Sequence, residues 1–170
     1  MLDKKVAELL NDQINKEFYS AYLYLDFSIF YDDAGLNGFA NWYKIQAQEE
    51  RDHAMLMMEY LQNNGEKVEL AAIAKPDKEL KDKLQVLELG LEHEQYVTSL
   101  IHAIYDAAYN VRDFRTMQFL DWFVKEQGEE EKNAEDMVKK MKLFGEDARS
   151  LYMLNNEMAA RTYSAPSLSL

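Results

Sequence analysis

The stretch Q-A-Q-E-E-R-D-H-A-M-L-M-M-E, residues 46–59, has the composition of a helix with one apolar face, and it sets Glu50 and His53 in the middle of that face. Alternating steps of three and four, begun at Leu36, run through Phe39, Tyr43, Gln46, Glu50, His53, Met57 and Tyr60, the spacing of a helical core seam. An isolated carboxylate moved out of water costs on the order of several kcal/mol or more unless it is neutralised or paired. Either this seam faces water, or a cation lies inside the fold.

The same pattern recurs on both sides. Upstream, a first helix over about 3–33 presents Val6, Leu10, Gln13, Glu17, Ser20, Tyr24, Phe27 and Tyr31. It stops at Asp33-Ala34-Gly35, where glycine supplies a left-handed cap. The second helix, which carries residues 46–59, ends at Asn64-Gly65. A third starts near Asp82, with the seam Leu84, Leu87, Leu91, Glu94, Thr98, Ile101, Tyr105 and Ala108. Asp113 has the character of an N-cap for a fourth, which reads Leu120, Phe123, Gln127, Glu130, Ala134, Met137, Met141 and Phe144 before Gly145. Residues 146–162 form a shorter fifth helix with Leu151, Leu154 and Met158 on one side, and 163–170 read as a flexible tail. No useful strand-like alternation and no repeat of 20–50 residues is visible.

Short links between the first two helices and between the third and fourth make two antiparallel hairpins. Residues 65–81 differ. Extended at ~3.3 Å per residue they reach roughly 55 Å, whereas a helix of about 28 residues is only about 42 Å long. The connection can therefore run the whole bundle and set the second and third helices parallel. The expected fold is all-α: a four-helix bundle (1–145) with one long crossover and a short fifth helix.

Each main helix thus has a polar break in its seam: Glu17; Glu50 with His53; Glu94; Gln127 with Glu130. Glu17 lies about 24 Å before the end of its helix and Glu50 about 21 Å after the start of the next, at ~1.5 Å per residue, so the two meet in an antiparallel hairpin. The same count brings Glu94 level with Gln127 and Glu130. Four carboxylates buried at one level must take up protons or hold cations. Glu50 and His53, three residues apart, aim at a common point. Carboxylate and imidazole donors suit iron, manganese or zinc more than calcium.

Composition narrows the function. The formal charge of −12 argues against nucleic acid and against an anionic membrane surface. With no cysteine, disulfides, thiolate metal sites and thiol catalysis are excluded. The start, M-L-D-K-K-V-A-E-L-L, is polar and periodic, and no apolar run approaches the ~20 residues of a bilayer span. A cytoplasmic protein is expected. Two readings stay open on the residues alone: a bundle holding two divalent metals, such as a di-iron oxidase or peroxide scavenger that stores nothing, and a helical interaction protein whose seam polars set register.

Over nearly its whole length the chain resembles the prokaryotic non-haem ferritins. Glu17 with Tyr24, the segment Q-E-E-R-D-H, Glu94 and E-Q-G-E-E carry the resemblance. The symmetric di-iron bundle has Glu-x-x-His on two helices; here Gln127-x-x-Glu130 replaces one of them, a lopsided arrangement shared with ferritins. The resemblance implies that Glu17 and His53 bind a first iron, that Glu50 bridges, and that Glu94 and Glu130 bind a second with Gln127 beside it. It implies that Tyr24 hydrogen-bonds the site, and that Glu49, Glu126 and Glu129, with Glu130 shared, form a third iron site. It further implies ferroxidase activity with dioxygen or peroxide, and storage of the ferric mineral in a homo-oligomeric shell of 24 subunits with the fifth helix at the four-fold contacts. Haem is not expected, because Asp52 stands where bacterioferritins place a methionine ligand. Met55, Met57 and Met58 read as packing residues and Trp122 as core, while His93 and His102 fall off the seams. Met117 and Leu120 at the start of the fourth helix give no reason to expect a carboxylate-lined three-fold channel.

Overall fold

A computed structural model describes residues 2–170. Five helices follow in order: α1 (Lys4–Asp33), α2 (Asn37–Asn63), α3 (Lys83–Asn110), α4 (Phe114–Phe144) and α5 (Ala148–Ala159). Each lies within about two residues of its expected bounds. Local chemistry sets most of the ends. The carboxylates of Asp3, Asp82, Asp113 and Asp147 accept from backbone N–H groups of the first turns of α1, α3, α4 and α5, satisfying donors that have no partner inside the helix. Gly35 and Gly65 follow α1 and α2 at φ of +74° and +78°, a backbone region costly for a side chain.

α1 packs along α2 and α3 along α4, as the short links require. The long crossover lies along α1. Asn11 exchanges hydrogen bonds with Glu69 (2.9 Å each way), and the Asn15 amide donates to the Ala72 carbonyl (3.1 Å). Near the other end of α1, the Tyr31 hydroxyl donates to the carbonyl of Lys83, where α3 begins (2.6 Å). The connection therefore travels the bundle's length and makes α2 and α3 parallel.

The seams of α1 and α2 are buried as their spacing predicts. That of α3 is rotated. Its buried residues are Val86, Leu87, Gly90, Glu94, Val97, Ile101, Ile104 and Ala108, so Leu84, Leu91, Thr98 and Tyr105 sit at the margin. Gly90 gives the reason: a Cβ there would stand 2.7 Å from the Tyr43 hydroxyl, so a bare backbone lets that ring in and turns this face inward. On α4, Phe144 is exposed rather than core.

α5 folds back on the start of α2. The first residues of α2 have no capping side chain of their own, since Leu36 precedes them. Asn155 supplies it: its Oδ1 accepts from the N–H groups of Gly38 (2.8 Å) and Phe39 (3.3 Å). A side chain at position 38 would land 1.7 Å from the Asn155 carbonyl oxygen. Beyond α5 the chain lies along the α2–α4 face. Tyr163 donates to Asp52 (2.5 Å), Trp122 Nε1 donates to Ser167 Oγ (3.0 Å), and Leu168 packs against the apolar core near Trp122.

The apolar interior is divided. One cluster gathers Tyr24, Phe27, Tyr31, Phe39, Tyr43, Val86, Leu87 and Met141; the other gathers Val6, Leu10, Ile14, Met57, Leu61, Ile101, Leu120 and Phe123. Between them lies a polar layer. Among the described residues, no helix is long and apolar enough to cross a membrane.

Candidate metal centre

The layer consists of Gln13, Glu17 and Ser20 from α1, Gln46, Glu50 and His53 from α2, Glu94 from α3, and Gln127 and Glu130 from α4. None is more than 7 % exposed. The four helices bring these side chains to one level, as the axial count from the sequence requires.

Three groups of potential ligand atoms form there, each within 4.8 Å: Glu17–Glu50–His53, Glu50–Glu94–Glu130 and His53–Glu126–Glu130. Glu50 belongs to the first two, the position of a bridging carboxylate. His53 Nδ1 lies 3.4 Å from Glu50 Oε2, and the imidazole is wedged edge-on against Trp122 and Phe123.

The hydrogen bonds leave Glu17, Glu50 and Glu130 with one held oxygen and one free one, and hold both oxygens of Glu94. Gln13 Nε2 donates to Glu17 Oε1 (2.8 Å). Gln46 Nε2 donates to Glu50 Oε1 (3.2 Å) and to Glu130 Oε1 (2.9 Å). The Tyr24 hydroxyl donates to Glu94 Oε1, and Gln127 Nε2 to Glu94 Oε2 (3.3 Å). Left over are Glu17 Oε2, Glu50 Oε2 and Glu130 Oε2, all buried and without a partner. An orphaned buried acceptor costs about 1–3 kcal/mol, and more when charged. Three of them in one layer, beside His53, form a cluster that could hold a metal ion.

Electrostatics agree. Burial, together with Glu94 and Glu17, pushes the Glu50 pKa well above the usual carboxylate range. Burial, with Glu94 and Glu50, does the same to Glu130. Glu94 is also raised by burial, against the pull of the Tyr24 and Gln127 donors. Burial disfavours a charged His53, but Glu130, Glu17, Glu126 and Glu94 outweigh it and hold its pKa above the ordinary value. These shifts favour protonated carboxylates in the layer, so a cation binding there would release protons. Tyr24 is pushed up by burial and by Glu94, so it stays a neutral donor.

The acidic cluster expected beside the pair is only partly assembled. Glu126 reaches His53 and Glu130. Glu49 is held by Arg161 at 2.5 Å. Glu129 is exposed and faces Lys125 at 3.6 Å. Gln127 acts as a donor to Glu94 rather than standing apart.

Sequence reasoning passed over four groups. Gln13 and Gln46 each precede a buried glutamate by four residues, a spacing that places them one turn below it on the same helix face; that signal was available. Arg161 and Asn155 act over more than a hundred residues of chain and leave no local trace. His93, expected to have no role at the site, touches the edge of the layer: its Nε2 is 2.8 Å from Ser20 Oγ. Burial and Lys78 lower its pKa to about 4, so it is a neutral packing imidazole.

Residues 7–144 match the family profile described as the ferritin-like domain. The bacterial non-heme ferritin of Staphylococcus haemolyticus is 38 % identical over 163 residues, covering 96 % of this chain and 98 % of that protein. The one from Campylobacter jejuni is 40 % identical over 153 residues, 90 % and 92 % of the two chains. Among solved structures, the open-pore ferritin of the hyperthermophilic archaeon Archaeoglobus fulgidus superposes with a TM-score of 0.92 at 44 % identity, over 95 % of this chain and all of that one. An engineered closed form of the same ferritin gives 0.93 at 43 % identity, over 96 % of this chain and all of that one. Sharing a bundle, a crossover and nearly its full length with these proteins, the chain belongs to the ferritin family.

Proposed function

We propose that this protein oxidises ferrous iron at the mid-bundle pair site and stores the ferric product inside a homo-oligomeric shell of about 24 chains, the assembly its family resemblance implies. The observation that carries the reading is the layer's three free carboxylate oxygens converging with His53. In this reading Glu17 and His53 take the first iron, Glu50 bridges, and Glu94 and Glu130 take the second. Each ferrous ion gives up one electron, and one dioxygen or peroxide molecule receives both. The all-oxygen second position binds its ion more weakly than the position bearing the imidazole, and hard carboxylates favour the ferric product.

The chain's own groups prepare the site. Gln13 and Gln46 hold the inner oxygens of Glu17, Glu50 and Glu130 and leave the outer ones free. Tyr24 fixes Glu94 from behind. The two apolar clusters above and below exclude water, which strengthens the attraction of carboxylate for cation. Glu49, Glu126 and Glu129 serve a third ion that joins after the first oxidation.

Storage needs an enclosed volume, which one chain cannot supply. The test is aerobic loading of the purified protein with ferrous salt, followed by size separation with iron detection. Iron should co-elute with a particle of about 24 chains and greatly exceed two ions per chain. A stable monomer or dimer that holds two irons and no more contradicts storage while sparing the pair site.

A further inference from the structure

The segment after α5 brings a cation to the edge of the layer. Arg161 Nη2 donates to Glu49 Oε2 (2.5 Å), and Nη1 donates to Gln46 Oε1 (2.9 Å) and to the Trp42 carbonyl (3.3 Å). Its guanidinium carbon lies 4.1 Å from the centroid of the Trp42 ring. Arg161 and Glu49 are both about four-fifths buried, at 20 % and 18 % side-chain exposure. The pairing is more enclosed than the surface lysine contacts elsewhere on the chain.

Next to it lies half of a metal site. Ligand atoms of His53, Glu126 and Glu130 come within 4.8 Å of one another, and Glu130 Oε2 is buried with no partner. A cavity of about 210 Å³ touches Glu49, His53 and Glu126 and is walled on its far side by Ser164 to Ser167. Glu49 borders the same space but is turned to Arg161. With the pair site filled, a further cation entering the cavity finds Glu126 and the shared carboxylate of Glu130, while Glu49 is occupied by a tethered positive charge.

We propose that Arg161 is a built-in counter-cation that holds Glu49 until a further divalent ion displaces it, so that filling this outer position and releasing the segment from Arg161 to Leu168 are one event. The inference rests on the pair-site reading above and adds its regulation. The anchorage fits an exchangeable role. Arg161 lies two residues beyond the last helical residue, Ala159, so its side chain can swing without unwinding α5. When it leaves Glu49, the Trp42 face and the Gln46 carbonyl oxygen lose it too. A divalent charge competes well against a single guanidinium for one carboxylate, and the two cannot be bound there together.

The chain's two tryptophans report the event, since Trp42 lies under Arg161 and Trp122 is bonded to Ser167. Zinc, which has no redox chemistry, is the probe. In Trp122→Phe, which leaves Trp42 as the one tryptophan, the first two equivalents of Zn(II) per chain should leave the fluorescence unchanged. The third should shift it. In Arg161→Gln the third equivalent should bind about tenfold more tightly, because a competing unit charge is gone, and Trp42 fluorescence in the same background should be shifted from the start. Arg161→Lys, which keeps the charge, should bind the third equivalent as wild type does. Glu49→Gln should lose the third equivalent alone. If Arg161→Gln binds the third equivalent as wild type does, or if zinc never alters Trp42 fluorescence, the inference is overturned and the pair site stands. If the wild-type protein fails to bind the first two equivalents, the pair-site reading falls and takes the inference with it.

Discussion

Glu50→Ala and His53→Ala should each abolish the rapid phase of aerobic iron oxidation, slowing turnover by about 100-fold or more. The magnitude follows from what the two residues supply. Glu50 is shared by the Glu17–Glu50–His53 and Glu50–Glu94–Glu130 groups, so its loss separates the two positions as well as weakening both. His53 is the only nitrogen donor in the layer. A metal ligand in a water-excluded site contributes several kcal/mol to holding the charge, and each 1.36 kcal/mol is tenfold in rate. Tyr24→Phe serves as the contrast. It removes one hydrogen bond to Glu94 and leaves every ligand in place, so the loss should be about tenfold, as for other groups that orient ligands. Stopped-flow absorbance of the ferric product, with ferrous iron at two per chain, separates these cases. Fast oxidation that persists in both alanine variants contradicts the assignment of the pair site.

Glu50→Gln makes the metal-free protein more stable and the metal-bound protein less so. In the folded chain Glu50 is fully enclosed, with Oε2 unpartnered and Glu94 and Glu17 beside it. Its pKa is therefore raised on folding. The sign follows from proton counts. Between the ordinary carboxylate value of about 4.3 and the raised folded value, the native state holds more protons than the unfolded state, so stability falls as pH rises. Glutamine imitates the protonated form at every pH. The variant should match wild type near pH 4 and exceed it by about 1–3 kcal/mol near pH 7, the range found when buried charge is removed. His53 acts in the same direction: its raised value gives stability below its ordinary pKa that is lost as pH rises through the folded one. Metal reverses the order. A ligand at 100 times its dissociation constant stabilises by about 2.7 kcal/mol, and the variant has lost the bridge that confers it. Thermal midpoints of both proteins, with and without Zn(II), across this pH range measure the inversion. Equal loss of stability in both conditions would mean that Glu50 is a structural residue.

The fold was legible because its signals are local and repeated. The seams of α1 and α2 follow alternating steps of three and four without a break, and Asp113 caps α4 as its residue type predicts. The crossover followed from a length argument that needs no contacts. The site was legible for a different reason: Glu17, Glu50, Glu94 and Glu130 each interrupt an otherwise apolar seam, and rise per residue is regular enough to align them. What stayed hidden depends on contacts remote in sequence. The Gly90 backbone turns α3 by one position because Tyr43 comes to meet it. Asn155 caps a helix that begins more than a hundred residues earlier. Arg161 opens a stretch with the composition of a loose tail, yet its guanidinium is held by Glu49, Gln46 and Trp42. In each case one long-range partner decides the outcome, and nothing in the flanking residues announces it.

The central claim is that two irons sit in the polar layer on either side of Glu50. Diffraction at the iron absorption edge, from crystals loaded anaerobically with Fe(II), tests it most directly. Two anomalous peaks per chain should appear, one beside Glu17 and His53 and the other beside Glu94 and Glu130, with the Glu50 carboxylate between them. An empty layer with iron bound only at surface carboxylates, or a single ion that does not touch Glu50, contradicts it.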